Sequence, residues 1–321
     1  MNDSEIYSAF RPLFDDVAEI DQFNKKKPLL AHYTSLRVLE KILRNDEAWL
    51  SNPLFMNDIE EVRFGLGRGL DLVLGSQEIS DACRSIDRAR SFTQSFDGYF
   101  QCFANNDAFD TYVFCLSEHD LDDNDGKLSM WRGYGSNGNG AAIVLDTGQL
   151  NAIEGSQLVL AKVHYGSQEE RTHSLNGILL KCAQILRGIE IPDDKLYLAA
   201  HALFHRIKTF ALLSKHRGFE EEREWRIIYM KDLDPNGKLA SMLDYWIGPR
   251  GIEPKLRLKV APIEGVTAAD LSLEKIVKRI ILGPSLSSPL AQTAVLRMLD
   301  QLNKSYLKDR VCGSTIPFRA L

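Results

Sequence analysis

The sequence predicts an α+β fold. Short strand-like runs rich in β-branched and aromatic residues occur in the first, middle and last thirds of the chain. Long stretches with helical spacing of apolar residues separate them, and neither internal repeats nor a low-complexity linker breaks the pattern. A length of 321 residues, 44% hydrophobic and 26% charged, suffices for one well-cored domain with insertions or for two smaller ones. The expected organisation is a helical extension over 1–27, then a single α+β domain over 28–321 with helical insertions at about 60–108 and 167–216.

Residues 5–25 carry apolar side chains at helical spacing, and Lys25-Lys26-Lys27-Pro28 ends that helix. Leu29 to Tyr33 reads as a buried strand, Thr34 or Ser35 as an N-cap, and 36–45 as a helix. Ala48 to Ser51 is a second strand, closed by the turn Asn52-Pro53 and an acidic loop from Met56 to Glu61. Beyond the first helical insertion, Thr111 to Ser117 and Ala141 to Asp146 are strands. Between them lie the acidic loop LDDNDGK, the segment Met130 to Gly135 and the run GSNGNG. That glycine run lacks both Walker and dinucleotide spacing and precedes a strand, so it is a flexible turn rather than a phosphate loop. Leu158 to Tyr165 is strand-like, two helices follow over 167–188 and 193–216, and FEEEREWRII, Phe219 to Ile228, is the next strand. Lys255 to Val260, Ile276 to Leu282, a helix over 286–305 and a closing strand near Ser314 to Phe318 complete the pattern.

Composition excludes several functions. A net charge of −5 gives no diffuse basic field of the kind that drives non-specific nucleic-acid binding. The opening MNDSEIYSAF is acidic where a signal peptide is basic, and no stretch approaches the roughly 18 apolar residues of a membrane span. A cytoplasmic protein without membrane contact is expected. The five cysteines, Cys83, Cys102, Cys115, Cys182 and Cys312, are scattered and form no CxxC, so neither zinc nor a disulfide framework is expected.

Two motifs hold more polar chemistry than a strand frame needs. His32-Tyr33-Thr34-Ser35 follows an apolar strand start, and Glu220, Glu221, Glu222 and Glu224 run into Trp225-Arg226-Ile227-Ile228. In an extended strand Glu222, Glu224 and Arg226 share one face while Arg223, Trp225 and Ile227 share the other. The charged face is then either solvated or the wall of a cleft. If Trp225 is core and Glu224 lines a cleft, Trp225→Ala costs about 3–5 kcal/mol and Glu224→Gln costs little.

The ordered set HYTS, WLSNP with FMNDIEE, CLS, MWRGYG, AAIVLD, KHRGFEEEREWRI, IILGP and STIPFR is similar to the bacterial family called domain of unknown function 2971, from His32 to Arg319. A more remote resemblance carries an activity. His-x-Thr at the end of a first strand, followed by a short helix and a strand, with Glu-x-Glu on a late strand, resembles ADP-ribosyltransferase-like folds.

That resemblance implies a split antiparallel or mixed β-core with NAD bound, as substrate, in its cleft. It implies ADP-ribosyl transfer to a macromolecular acceptor, protein or nucleic acid, or NAD hydrolysis, as a bacterial defence or toxin effector. Glu224 would be the catalytic carboxylate, stabilising the positive charge that builds as nicotinamide leaves, and Glu222 would receive or deprotonate the acceptor, with the two able to exchange roles. His32 would orient a ribose, Thr34 would support the backbone or the amide, and Tyr33, Ser51, Tyr134 and Arg226 complete the expected NAD-binding set. Tyr33, Tyr112 and Tyr134 are the candidates for a central tyrosine.

Plainer readings stand beside these. His32 is a hydrogen-bonded strand-end residue, Glu224 a cross-strand ion-pair member, and Trp49, Trp131 and Trp225 core aromatics. Lys215 and Arg226 bind phosphate or pair with nearby glutamates. Asn57, Asp58 and Glu61 form a cleft rim or complement a helix dipole. His201 and His205, at i and i+4, lack the third ligand a metal needs. Two further functions remain: a non-catalytic nucleotide- or ligand-sensing module of a bacterial conflict system, and a magnesium-dependent nuclease using Glu222, Glu224, Asp58 and Lys215. The absence of any Asp/Glu-x-Lys triplet in the strands weakens the nuclease.

Overall fold

The computed structural model describes residues 1–17, 27–56, 59–105, 107–150, 153, 155–248 and 251–318. In chain order the principal elements are α1 (Asp3–Phe10), β1 (Leu29–Ser35), α2 (Leu36–Asn45), β2 (Glu47–Ser51), α3 (Ile59–Leu74), α4 (Gln77–Ala82), α5 (Ile86–Asn105) and β3 (Thr111–His119). They continue with α6 (Leu128–Gly133), β4 (Gly140–Asp146), β5 (Leu158–Lys162), β6 (His164–Gly166), α7 (Gln168–Gly188), α8 (Leu196–Leu213), β7 (Ser214–His216) and β8 (Glu224–Met230). Last come β9 (Leu243–Gly248), β10 (Gly251–Lys259), α9 (Leu273–Ile276), β11 (Val277–Leu282), α10 (Pro289–Gln301) and β12 (Val311–Gly313). The mixture of helices and a mixed sheet makes the fold α+β. Among the described residues no helix is long and apolar enough to cross a membrane.

Contacts group the chain into two units. The first combines Met1–Glu19, Asn52–Thr111 and Val163–Glu220, and the second Ile20–Ser51, Tyr112–Lys162 and Glu221–Leu321. Among the described residues the first unit is helical apart from the parallel pair β6–β7 and its connecting turns. Its centre is α8, where Leu203, Ile207, Ala211 and Leu212 are buried. Glycines let α3 lie close against it: a Cβ on Gly65 would sit 2.7 Å from Ala211 Cβ and 2.8 Å from its Cα, and one on Gly69 2.4 Å from Ile207 Cγ2. Phe96, Tyr99 and Phe103 of α5 ring Phe204 at centroid distances of 5.9, 6.2 and 6.0 Å.

The second unit is a sheet in the order β12-β11-β4-β1-β3-β2-β10-β9, with β8 pairing β3 and β5 pairing β8. β1 pairs β4 antiparallel along its whole length, Leu29↔Asp146 to Ser35↔Gly140, but pairs β3 only from Leu29↔His119 to Ala31↔Ser117. From His32 onward β1 and β3 part. β11 and β12 run parallel. One face of the sheet buries Ala31, Tyr33, Ala142, Val144 and Ile281 under Met130 and Trp131 of α6. The opposite face buries Leu30, Leu50, Phe114, Leu116, Trp225, Tyr229 and Leu256.

Four elements differ from the sequence expectation. The first helix ends at Phe10 and tightens into a 3-10 turn, Arg11–Phe14, with Pro12 in its first turn; residues 18–26 lie outside the described residues. Phe219 to Glu222 belong to a 3-10 helix, Arg217–Glu222, and the strand begins at Glu224. The reason is pairing: β5 runs from Leu158↔Tyr229 to Lys162↔Trp225, so it gives residues before Glu224 no ladder partner. The last strand is Val311–Gly313, because the Asp125 carboxylate takes the N–H and hydroxyl of Thr315 away from the ladder. β10 contains the expected strand from Lys255, with Leu256 and Leu258 buried, but β9 and the tip of its hairpin with β10 have no counterpart in the expectation: Tyr245, Ile247 and Ile252 are 62%, 72% and 64% exposed, so the alternation there has no buried apolar face to advertise it.

Candidate functional site

His32 sits where β1 leaves β3. Its Nδ1 lies 2.9 Å from the Cys115 carbonyl oxygen, which can only accept, so Nδ1 carries the proton and Nε2 is an acceptor. The ring stacks on Phe114 at 4.2 Å. Burial pushes the His32 pKa down to about 4, outweighing the carbonyl that favours the charged form, so the imidazole is neutral at pH 7. The side chain of a strand residue thus takes the carbonyl a continued ladder would have used.

On β8 the two charged residues pair with each other. Arg226 Nε donates to Glu224 Oε1 at 2.8 Å and its Nη2 to Glu224 Oε2 at 3.1 Å, with both residues buried. Trp225 alternates with them and donates from Nε1 to Glu118 Oε1 at 2.9 Å. Burial alone would raise the Glu118 carboxyl, but hydrogen bonds from Lys162, Trp225 and Arg223 hold it at about 2. Glu118 lies across from Leu30, whose side chain shares a face with that of His32. Alternation therefore sends His32 to the Trp225 face and Glu224 to the opposite one, so the expected His32–Glu224 pair is not assembled.

A different constellation gathers on the Glu224 side, on the turn leading into β8. Tyr134 Oη donates to Glu222 Oε1 at 2.9 Å, and Ser129 Oγ donates to Glu221 Oε1 at 2.9 Å. Three successive carbonyls of that turn are held: Glu221 by Lys127 Nζ at 3.2 Å, Glu222 by Ser117 Oγ at 2.5 Å, and Arg223 by the Glu118 N–H at 3.0 Å. Arg223 has φ +47°, a left-handed conformation rare for a residue with a side chain.

The other expected residues are placed as follows. Tyr33 is buried against Trp131, its hydroxyl accepts from the Lys127 N–H at 3.0 Å, and burial pushes its pKa up to about 12, so it serves the core. Thr34 is buried on the His32 face, where its carbonyl oxygen would lie 2.2 Å from a Cβ at position 140, so only Gly140 fits. Ser51 accepts from Lys255 Nζ at 2.8 Å, and Lys255 also pairs with Glu253 at 3.0 Å. Trp49 is core and carries Arg257 over its ring at 4.8 Å. Buried Lys215 lies 4.6 Å over Phe219. His201 contacts the Tyr7 hydroxyl at 3.2 Å, and Glu61 pairs with Arg171. Asn57 and Asp58 lie outside the described residues. Among the described residues no group of three or more His, Cys, Asp or Glu is arranged to hold a metal ion.

Residues 130–227 match the model of a family described as Protein of unknown function (DUF2971). The likeness to DUF2971 is shown there. The DUF2971 stretch runs from α6 through the first residues of β8 and so contains Tyr134, Glu221, Glu222, Glu224 and Arg226, whereas His32 and Lys127 precede it. No curated protein and no solved structure matches the chain. Lys127, Ser117 and Ser129 carry little functional signal in the sequence. Ser117 closes the CLS element and Ser129 flanks MWRGYG, but Lys127 ends an acidic loop, LDDNDGK, that no motif marks.

Proposed function

We propose that the protein binds a nucleotide, NAD foremost, at the point where β1 parts from β3, and acts as a nucleotide-sensing module of ADP-ribosyltransferase-like type. The observation that carries the reading is His32: a neutral imidazole with Nδ1–H fixed on a carbonyl presents Nε2 as an oriented acceptor for a ribose hydroxyl. The parting of two neighbouring strands supports the split-core type. Titration calorimetry with NAD, ADP-ribose and ATP tests it. His32→Ala should weaken the favoured nucleotide about tenfold, the worth of one hydrogen bond. No heat with any of the three ends the proposal.

The contact of Tyr134 with Glu222 favours a second reading, ADP-ribosyl transfer to a protein or nucleic acid, or NAD hydrolysis, as an effector in bacterial conflict. Glu222 then replaces Glu224 as the carboxylate, because Glu224 is committed to Arg226, and NAD lies on the Tyr134 side of the sheet rather than against His32. Release of nicotinamide from NAD, with and without lysate to supply an acceptor, tests this reading. Glu222→Gln should lower release by about 10²-fold or more. An unchanged rate excludes Glu222. β10 carries the triplet Glu253-Pro254-Lys255, so the expected absence of an Asp/Glu-x-Lys triplet in the strands does not hold and no longer weakens a nuclease.

A further inference from the structure

We infer that Lys127 is a positioning residue that sets the Glu222 carboxylate against Tyr134 by clamping the main chain of the Glu221–Arg223 turn. The inference rests on the transfer reading of Glu222. Lys127 Nζ donates to Ser117 Oγ at 3.3 Å and to the Glu221 carbonyl at 3.2 Å, and among the described residues it ion-pairs with no carboxylate although Glu118, Asp120 and Glu221 all lie near enough to act on its charge. An ammonium spent on a hydroxyl and a main-chain carbonyl fixes geometry rather than neutralising charge.

Its own position is fixed in turn. The Lys127 N–H is anchored on the Tyr33 hydroxyl, and the preceding Gly126 has φ +71°, where a Cβ would come within 2.7 Å of that hydroxyl. Lys127 therefore joins β1 through Tyr33, β3 through Ser117 and the turn before β8 through Glu221. The turn needs such a hold, since Arg223 at φ +47° stores strain that would relax if the carbonyls were released. Once Glu221 and Glu222 are pinned through their main chain, Ser129 and Tyr134 meet carboxylates whose directions are already set.

The test compares Lys127→Met, which keeps length but removes the donors, with Lys127→Arg, which keeps them, and with Ser117→Ala, which removes the hydroxyl tied to both Lys127 and Glu222. Two readouts are used: nicotinamide release from NAD, and the ring resonance of Tyr134 in tyrosine-labelled protein, assigned by its loss in Tyr134→Phe. If wild type releases nicotinamide, Lys127→Met and Ser117→Ala should lower kcat about tenfold or more with KM within about twofold, and Lys127→Arg should restore most of it. An unchanged kcat in both variants overturns the proposal. If wild type releases none, the transfer reading fails, and the resonance decides: a Tyr134 signal shifted by Lys127→Met or Ser117→Ala and restored by Lys127→Arg upholds the clamp, and an unmoved signal overturns it.

Discussion

A buried carboxylate in a bidentate pair is worth most when it is removed from only one side. Glu224→Gln would take the charge off the carboxylate that meets two nitrogens of the Arg226 guanidinium, 2% exposed, at a cost of up to about 3–5 kcal/mol. That is the scale of Trp225→Ala, also about 3–5 kcal/mol. Urea unfolding of both variants checks this; a Glu224→Gln midpoint equal to wild type would mean that Arg226 does not depend on the pair. A cheap Glu224→Gln presumes a carboxylate lining an open cleft; alternation reveals which side chains share a face, not which of them satisfy each other, and the pairing with Arg226 reverses that expectation. His32 gives a pH signature. Its folded pKa, about 4, lies below its ordinary 6.5, so between those values the unfolded chain binds the extra proton and stability falls as pH drops from 6.5 towards 4. Glu118, held at about 2, adds a loss of the same direction as pH falls from 4.5 towards 2. Melts of wild type and His32→Gln from pH 7 to 4.5 should converge at the acid end, and parallel pH curves would refute the neutral imidazole.

Helices announced themselves wherever a cap preceded an amphipathic run. Ser35, one of two capping candidates, accepts from the Val38 N–H at 3.2 Å and opens α2 at the expected residue. Ser35→Ala should cost about 1 kcal/mol in chemical denaturation. The glycines of α3 test packing with opposite signs. Gly67 has open space around it, so Gly67→Ala should stabilise by about 0.5–1 kcal/mol through helix propensity. Gly65 faces the Ala211 backbone, so Gly65→Ala should destabilise by about 1–3 kcal/mol through overpacking. Melting temperatures moving the same way in both would refute the close α3–α8 approach. The strands were legible in kind but not always in extent. β1 and β4 had clear apolar runs, whereas the start of β8 depends on where β5 stops, and a pairing partner more than sixty residues away leaves no local mark. The same holds for the candidate site: Glu222 and Tyr134 were visible as residue types, but their contact is made by a turn whose dihedral no periodicity encodes.

For the whole molecule, a ligand that binds the folded chain alone raises stability by mass action, about 2.7 kcal/mol at a hundred times its Kd. Calorimetric scans with and without NAD should show that rise in wild type and a smaller one in His32→Ala at equal NAD; no shift in wild type at millimolar NAD would count against nucleotide binding. The threading of the chain has a separate effect. Each unit is assembled from three segments, and the segments alternate along the sequence. As the polypeptide leaves the ribosome, β1 emerges early, its neighbour β4 about a hundred residues later, and β11, which flanks β4, only after residue 277. The helical unit can close once residue 220 is out, while the sheet must wait for β8, β10 and β11. For most of its synthesis the nascent chain therefore carries strands with unsatisfied edges. Slowing translation should lengthen that exposure, and a chaperone that shields strand edges would act on this chain before residue 277 rather than after its release.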